Sequence, residues 1–252
     1  MEIKIVFDNY PCKREPKENM ASFWGFSAVV GDKLLFDTGS NGRVLLKNLE
    51  KMEINPSAFK YLFISHPHWD HTGGIDSILE VNPNLTLFLP DSFSSLYIAD
   101  LKKWSREVKV ISNSPSLLYS NPHYPKFYST RVMAPTNLPC LTRRSPVREH
   151  SLIIEFEKYG AIITGCAHPG VVPIVKRGKE IIRKPITHLI GGFHLKDSSP
   201  SEILKVFKEL KKLGVEKVTP THCSGEIARQ LASQIFGKNF IEGGTGAVSK
   251  IS

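Results

Sequence analysis

Apolar and polar positions alternate through residues 1–7, which predicts an opening strand. Residues 26–36 read as a hairpin with Gly31-Asp32 at its turn. Residues 42–52 place Val44, Leu45, Leu49 and Met52 at helical spacing. Tyr61–Ile64 is a short apolar run of the kind a buried strand needs, and residues 74–81 read as a helix. The later half alternates in type. Residues 151–156, 161–164, 186–190 and 215–218 predict strands. Residues 201–213 predict a helix with Ile203, Leu204, Phe207, Leu210 and Leu213 on one face and Gly214 as its stop. Residues 226–236 predict another, with Ser224 as N-cap and Gly237 past its end. This order implies an α/β chain in which sheets are sandwiched by helices.

Residues 91–148 break the pattern. They hold Pro115, Pro122, Pro125, Pro135, Pro139 and Pro146 among many serines, and read as an irregular insertion with some strand content. Their aromatics, Phe93, Tyr97, Trp104, Tyr119, Tyr124, Phe127 and Tyr128, predict a packed cover over the site rather than a disordered segment. The 252 residues are expected to form a single domain.

The chemistry is concentrated in the histidines. Three of the nine fall in His66-Pro67-His68-Trp69-Asp70-His71, directly after the apolar run 61–64. His168, His194 and His222 follow three further apolar runs. Ligand sites of α/β sheets lie beyond the carboxyl ends of strands, so several strands ending in histidine aim imidazoles at one crevice. Imidazole and carboxylate together suit zinc, manganese or iron. His66 and His68 can share one ion, while Asp70 and His71 can reach a second. Such a pair of ions acidifies bound water and supplies a hydroxide nucleophile near neutral pH. His123, His150 and His188, taken singly, read as structural or solvated.

Composition narrows the partners. Hydrophobic residues make up 41% of the chain and charged ones 23%, enough to bury a core. A formal net charge of +9 favours an anionic small-molecule substrate. The lysines are scattered, and the densest basic run, Arg143-Arg144 with Arg148, is short, so a nucleic-acid face is not expected. The first residues lack a signal peptide's apolar stretch, and no segment has the roughly 20 apolar residues of a membrane span. Cys12, Cys140, Cys166 and Cys223 form no CxxC pair, which predicts reduced thiols in the cytoplasm.

Residues 66–74, His-Pro-His-Trp-Asp-His-Thr-Gly-Gly, resemble the HxHxDH signature of the metallo-β-lactamase superfamily. Leu35-Phe36-Asp37-Thr38-Gly39 resembles that superfamily's first motif, where the aspartate supports the metal loop. The resemblance implies an αβ/βα metallo-β-lactamase sandwich, two mixed sheets flanked by helices. It implies metal ligands at His66, His68, Asp70, His71, His168 and His222, with Asp37 and Cys166 behind them. A narrower resemblance runs through 164–170, 191–195 and 221–225. These segments are similar to the branch named for dihydropterin-ribofuranosylaminobenzene phosphate synthase. Two departures stand out. No His-x-x-Gly-His precedes the strand at 151, although His150 lies there. Where the superfamily carries Gly-Asp this chain has Gly165-Cys166. Either Cys166 takes the aspartate's place or His168 supplies the ligand. His168 is favoured, because a bare thiol beside a reactive water is open to oxidation.

The expected activity is that of a metal-dependent hydrolase acting on a phosphorylated small molecule. Asp70 would hold a metal and orient the nucleophile, and His194 would bind substrate or donate a proton. The alternative is a transferase of the synthase type, in which diphosphate leaves. Nuclease and diiron redox readings are minor.

Overall fold

The computed structural model describes residues 1–13, 20–112, 116–120, 125–132 and 148–251. They group into two compact units: Met1–Ser112 with Glu242–Ser252, and Asn113–Ile241. Each unit holds one mixed sheet and its own apolar core, as in two mixed sheets flanked by helices.

The first unit runs β1 (Glu2–Phe7), β2 (Ser27–Val30), β3 (Leu34–Phe36), α1 (Gly42–Lys51), β4 (Tyr61–Phe63), α2 (Trp69–Thr72), α3 (Ile75–Val81), β5 (Thr86–Pro90), α4 (Ser95–Trp104) and β6 (Glu107–Ile111). The β2–β3 hairpin turns at Gly31, whose φ of 59° suits a residue without a Cβ. Helix α1 starts at Asn41, whose side chain accepts the Val44 N–H. It buries Leu45 and Leu49 together with one polar residue, Asn48. Asn48 donates to the Val6 and Ala21 carbonyls and accepts the Ala21 N–H, so its burial is hydrogen-bonded. Strands β3 to β6 pair in parallel, so β3 and β4 end at the same edge.

The second unit runs β7 (Ser116–Ser120), β8 (Lys126–Arg131), β9 (His150–Glu155), β10 (Gly160–Thr164), α5 (Val171–Ile182), β11 (Ile186–Gly192), α6 (Pro200–Lys212), β12 (Lys217–Thr221) and α7 (Glu226–Phe236). Strand β13 (Val248–Lys250) then pairs with β1 in the first sheet. Strands β10, β11 and β12 are parallel neighbours, with Thr164 opposite Gly191 and Gly192 opposite Thr221. Their carboxyl ends therefore share one edge. Helix α6 carries a full capping box between Ser199 and Glu202. Among the described residues, no helix is long and apolar enough to cross a membrane. Cys12, Cys166 and Cys223 are free thiols.

Three expectations change. The segment 91–148 is regular where it is described, contributing α4, β6, β7 and β8. Strand β8 buries Phe127, Ser129 and Thr130 between polar residues, so it lacks the apolar run that marks a strand in sequence. Pro115, Pro122, Tyr124, Pro135, Pro139, Cys140, Arg143, Arg144 and Pro146 lie outside the described residues, as does His123. Helix α5 was not expected, because β-branched Val171, Val172, Ile174 and Val175, with an internal Gly178, lower helix propensity. A Cβ at Gly178 would lie 2.7 Å from Ile162 Cδ1, so the glycine lets α5 sit close on β10.

Ser224 is not the N-cap of α7; Gly225 is. Ser224 Oγ instead accepts the buried Phe193 N–H at 3.1 Å. Ser224→Ala should therefore cost about 1–3 kcal/mol, the cost of an unsatisfied buried donor. Urea denaturation of the variant beside Ser199→Ala, a true cap loss of about 1 kcal/mol, checks this. An unchanged midpoint in Ser224→Ala would contradict the assignment.

Candidate metal centre

In the first unit the site begins where β3 and β4 end. Asp37 follows β3 in a left-handed conformation (φ 53°), and its N–H donates to the Phe63 carbonyl. Its carboxylate is fully buried. One oxygen accepts the Ser65 N–H at 2.7 Å. The other accepts the Ser65 hydroxyl at 2.7 Å and meets His71 Nδ1 at 2.7 Å. Burial pushes the Asp37 carboxyl up from its ordinary value, while His71 and Ser65 pull it back.

These bonds decide how the rings face. A hydroxyl has one proton, and Ser65 spends it on Asp37, so Ser65 Oγ accepts from His66 Nδ1–H at 2.9 Å. His66 is then left with an Nε2 lone pair. His71 donates Nδ1–H to Asp37, which leaves its Nε2 likewise as a donor atom. His66 Nε2 stands 3.1 Å from His68 Nδ1, and the His66 ring centroid lies 4.5 Å from that of His68 and 4.2 Å from that of His71. Asp70, in the first turn of α2, places Oδ2 3.9 Å from His71 Nε2 and accepts the Trp24 indole N–H at 2.8 Å. The Thr-Gly-Gly continuation is steric. A Cβ at Gly73 would stand 2.4 Å from the Ser40 carbonyl oxygen, and one at Gly74 2.6 Å from that of Thr38.

The second unit repeats the device. The backbone N–H groups of Cys166, Ala167 and His168 converge on the Glu149 carboxylate at 2.7–2.9 Å. Ala167 adopts φ 59°, which turns successive N–H groups to one side. Glu149 Oε2 also meets His168 Nδ1 at 2.7 Å. Burial would raise the Glu149 carboxyl, but the charge and hydrogen bonds of His168, with the Ala167 amide, hold it down to about 2. His194 and His222 follow β11 and β12 with φ of 53° and 48°. The His194 ring centroid lies 4.7 Å from that of His168. A hydrogen bond with Cys223 raises the His194 pKa, against burial, with further help from Glu149 and Asp197. The Cys223 thiol is pulled well below its ordinary value: burial opposes this, and Cys166, His222 and His194 outweigh it. A cavity of about 190 Å³ opens beside His168 and His194, walled by Val172, Pro173, Phe193, Leu195 and Val206.

Residues 25–87 match the model of the metallo-beta-lactamase superfamily. The whole chain superposes on Tm1679, described as a metal-dependent hydrolase of the beta-lactamase superfamily. The TM-score is 0.81 and identity 26%, covering 100% of this chain and 99% of the other. Residues 25–87 thus match the superfamily in sequence, and the chain as a whole shares the fold of Tm1679. In sequence it is 29% identical to a Methanocaldococcus jannaschii protein, over 84% of this chain and 82% of that one. That relative is named 7,8-dihydropterin-6-methyl-4-(beta-D-ribofuranosyl)-aminobenzene-5'-phosphate synthase. Human tRNase Z, short form, shares the fold at TM-score 0.63 and 14% identity.

The fold thus brings His66, His68, Asp70 and His71 together in the first unit, over Asp37. It gathers Cys166, His168, His194 and His222 at one sheet edge in the second. The donor set fits a divalent cation. Two nitrogen lone pairs 3.1 Å apart repel unless a proton or a cation lies between them. That spacing also matches the roughly 3 Å between neighbouring ligands of an ion with bonds near 2.0–2.1 Å. His150 is not among the candidate donor groups of the described residues; it bonds Ser129 Oγ through Nδ1 at 2.7 Å. Sequence reasoning missed Ser65, Trp24, Cys223 and above all Glu149, whose partners lie 17–19 residues further on, beyond any short motif.

Glu149 makes a pH signature. Its carboxylate is favoured by folding, so its stabilisation is complete above the unfolded value of 4.5 and is lost as pH falls through about 2. Glu149→Gln should lower the stability of the metal-free protein by on the order of 3 kcal/mol at neutral pH. The gap from wild type should close below pH 4.5, read from urea midpoints across pH. A pH-independent gap would show that the carboxylate is not selectively held.

Proposed function

We propose that this chain is a metal-dependent hydrolase of an anionic, phosphorylated small molecule. It would hold two divalent ions, zinc foremost and otherwise manganese or iron, with His66, His68, Asp70, His71, His168 and His222. The observation that carries this reading is the locking of His66, His71 and His168 by hydrogen bonds at Nδ1, each of which leaves an Nε2 donor. Bound divalent ions supply Lewis acidity and an activated water near neutral pH.

The protein's own groups have separable roles. Asp70, held by Trp24, keeps its carboxylate beside His71 and orients the incoming nucleophile. His194, whose protonated form is favoured by its surroundings, offers a proton or a positive charge to the oxygen on which negative charge develops. The net charge of +9 supports an anionic substrate, through attraction that brings it to the site.

A second reading is a transferase that expels diphosphate. The named synthase supports it, at 29% identity over most of both chains. The same electrostatics would serve both reactions, and the acceptor, water or an aryl ribose phosphate, distinguishes them.

Plasma mass spectrometry of wild type beside His66→Ala/His68→Ala tests the reading, followed by assays on phosphoesters and a pterin methyl diphosphate. Wild type should carry about two equivalents of metal, largely lost in the variant. His194→Ala should keep its metal and lose roughly 10²–10⁴-fold in turnover. Full metal content in the double variant would overturn the ligand assignment. Pterin consumption only when an aryl ribose phosphate is present would replace hydrolase by transferase.

A further inference from the structure

The second unit contains two thiols that the hydrolase reading leaves unused, beside a histidine that it assigns to a metal. The donor atoms of Cys166, His222 and Cys223 all lie within 4.8 Å of one another, and all three residues are buried. We propose that these residues form a thiolate–imidazole site for a soft or borderline divalent cation such as zinc, cobalt or cadmium. The proposal deepens the two-ion reading, because His222 belongs to both donor sets; it makes sulfur, rather than nitrogen and oxygen alone, part of one ion's shell.

Three observations support it. The geometry is close to that of a coordinated ion. Ligands of a tetrahedral zinc ion stand about 3.3–3.8 Å apart, given bonds of roughly 2.0 Å to nitrogen and 2.3 Å to sulfur. Small rotations of side chains already within 4.8 Å reach that spacing. The backbone around each donor is fixed. The Cys166 N–H is fixed on Glu149, the Cys223 carbonyl accepts the Lys196 N–H at 3.1 Å, and His222 sits at φ 48° at the end of β12. Space for the sulfur is kept by a missing side chain. A Cβ at Gly192 would lie 2.6 Å from Cys223 Sγ and 2.3 Å from the Gly165 carbonyl oxygen. The Cys223 thiol currently donates to the Cys166 carbonyl at 3.4 Å, which keeps it pointed into the group.

Charge balances. On binding, each thiol releases one proton to solvent, and two thiolates with a neutral imidazole neutralise one divalent cation. A neutral complex avoids the cost of burying net charge.

Cobalt titration of the metal-free full chain tests the proposal. Cobalt bound by thiolate gives a sulfur-to-metal charge-transfer band in the near ultraviolet, whereas nitrogen and oxygen ligands give only weak visible bands. Wild type should show the band; Cys166→Ser and Cys223→Ser should each lower it, and the double variant should lose it. Because these variants could also unfold, zinc protection is measured on wild type. Zinc should slow alkylation of Cys166 and Cys223 about tenfold, read peptide by peptide by mass spectrometry. Cobalt binding without the band, a band that survives in the double variant, or alkylation indifferent to zinc would each overturn the proposal. Two bound ions without the band would leave the hydrolase reading standing and remove this one. A band that saturates with a single ion would support this site and remove the two-ion count.

Discussion

A buried carboxylate bonded to an imidazole Nδ1 at 2.7 Å is the constraint on which the histidine cluster of each unit depends. Asp37 does this for His71 and Glu149 does it for His168. The bond fixes the tautomer, leaves Nε2 as the ring's donor atom and makes the ring a better electron donor. Neither carboxylate could be buried without dedicated partners. Asp37 has the Ser65 amide and hydroxyl, and Glu149 has three consecutive backbone amides. Local chain geometry on each side therefore exists to serve a carboxylate, and the carboxylate serves a ring.

The backbone reflects that demand. Asp37, Ala167, His194 and His222 all take left-handed conformations, which cost non-glycine residues of order 1–3 kcal/mol each. All four follow parallel strands whose registers bring their carboxyl ends level within each sheet. A strand that simply ran on would carry its next side chain past the edge. The left-handed residue breaks the strand there. Glycines complete the arrangement by close approach at Gly73, Gly74 and Gly192, where any Cβ would collide with backbone or with Cys223.

Much of this was legible in sequence because local rules govern it. The runs 61–64 and 161–164 became β4 and β10, and the histidines that follow them stand at strand ends as expected. The cluster at 66–71 could be read as a metal loop because its donors are neighbours in sequence. Failures arose where the deciding contact is distant or the signal is mixed. Glu149 has no motif linking it to 166–168. Ser224 looks like a cap because it precedes a helix, but the Phe193 amide claims it across 31 residues. Helix α5 contradicts its own propensities because it is stabilised by burying Val171, Ile174, Val175 and Ile182 in the second core. Strand β8 interleaves Phe127 and Tyr128 with polar Lys126, Ser129, Thr130 and Arg131, so no apolar run marks it.

His168 and His194 stand 4.7 Å apart between ring centroids. Their partners separate their roles. A carboxylate at Nδ1 gives His168 a defined donor face, suited to holding a cation. Hydrogen bonding with Cys223 shifts His194 toward its protonated form, which suits it to meeting an anion. In the proposed reading, one edge of one sheet would present a cation-binding ring and an anion-binding ring side by side, next to a cavity with apolar walls. Such a pair can hold opposite ends of a polarised bond, an arrangement that hydrolysis and group transfer both require.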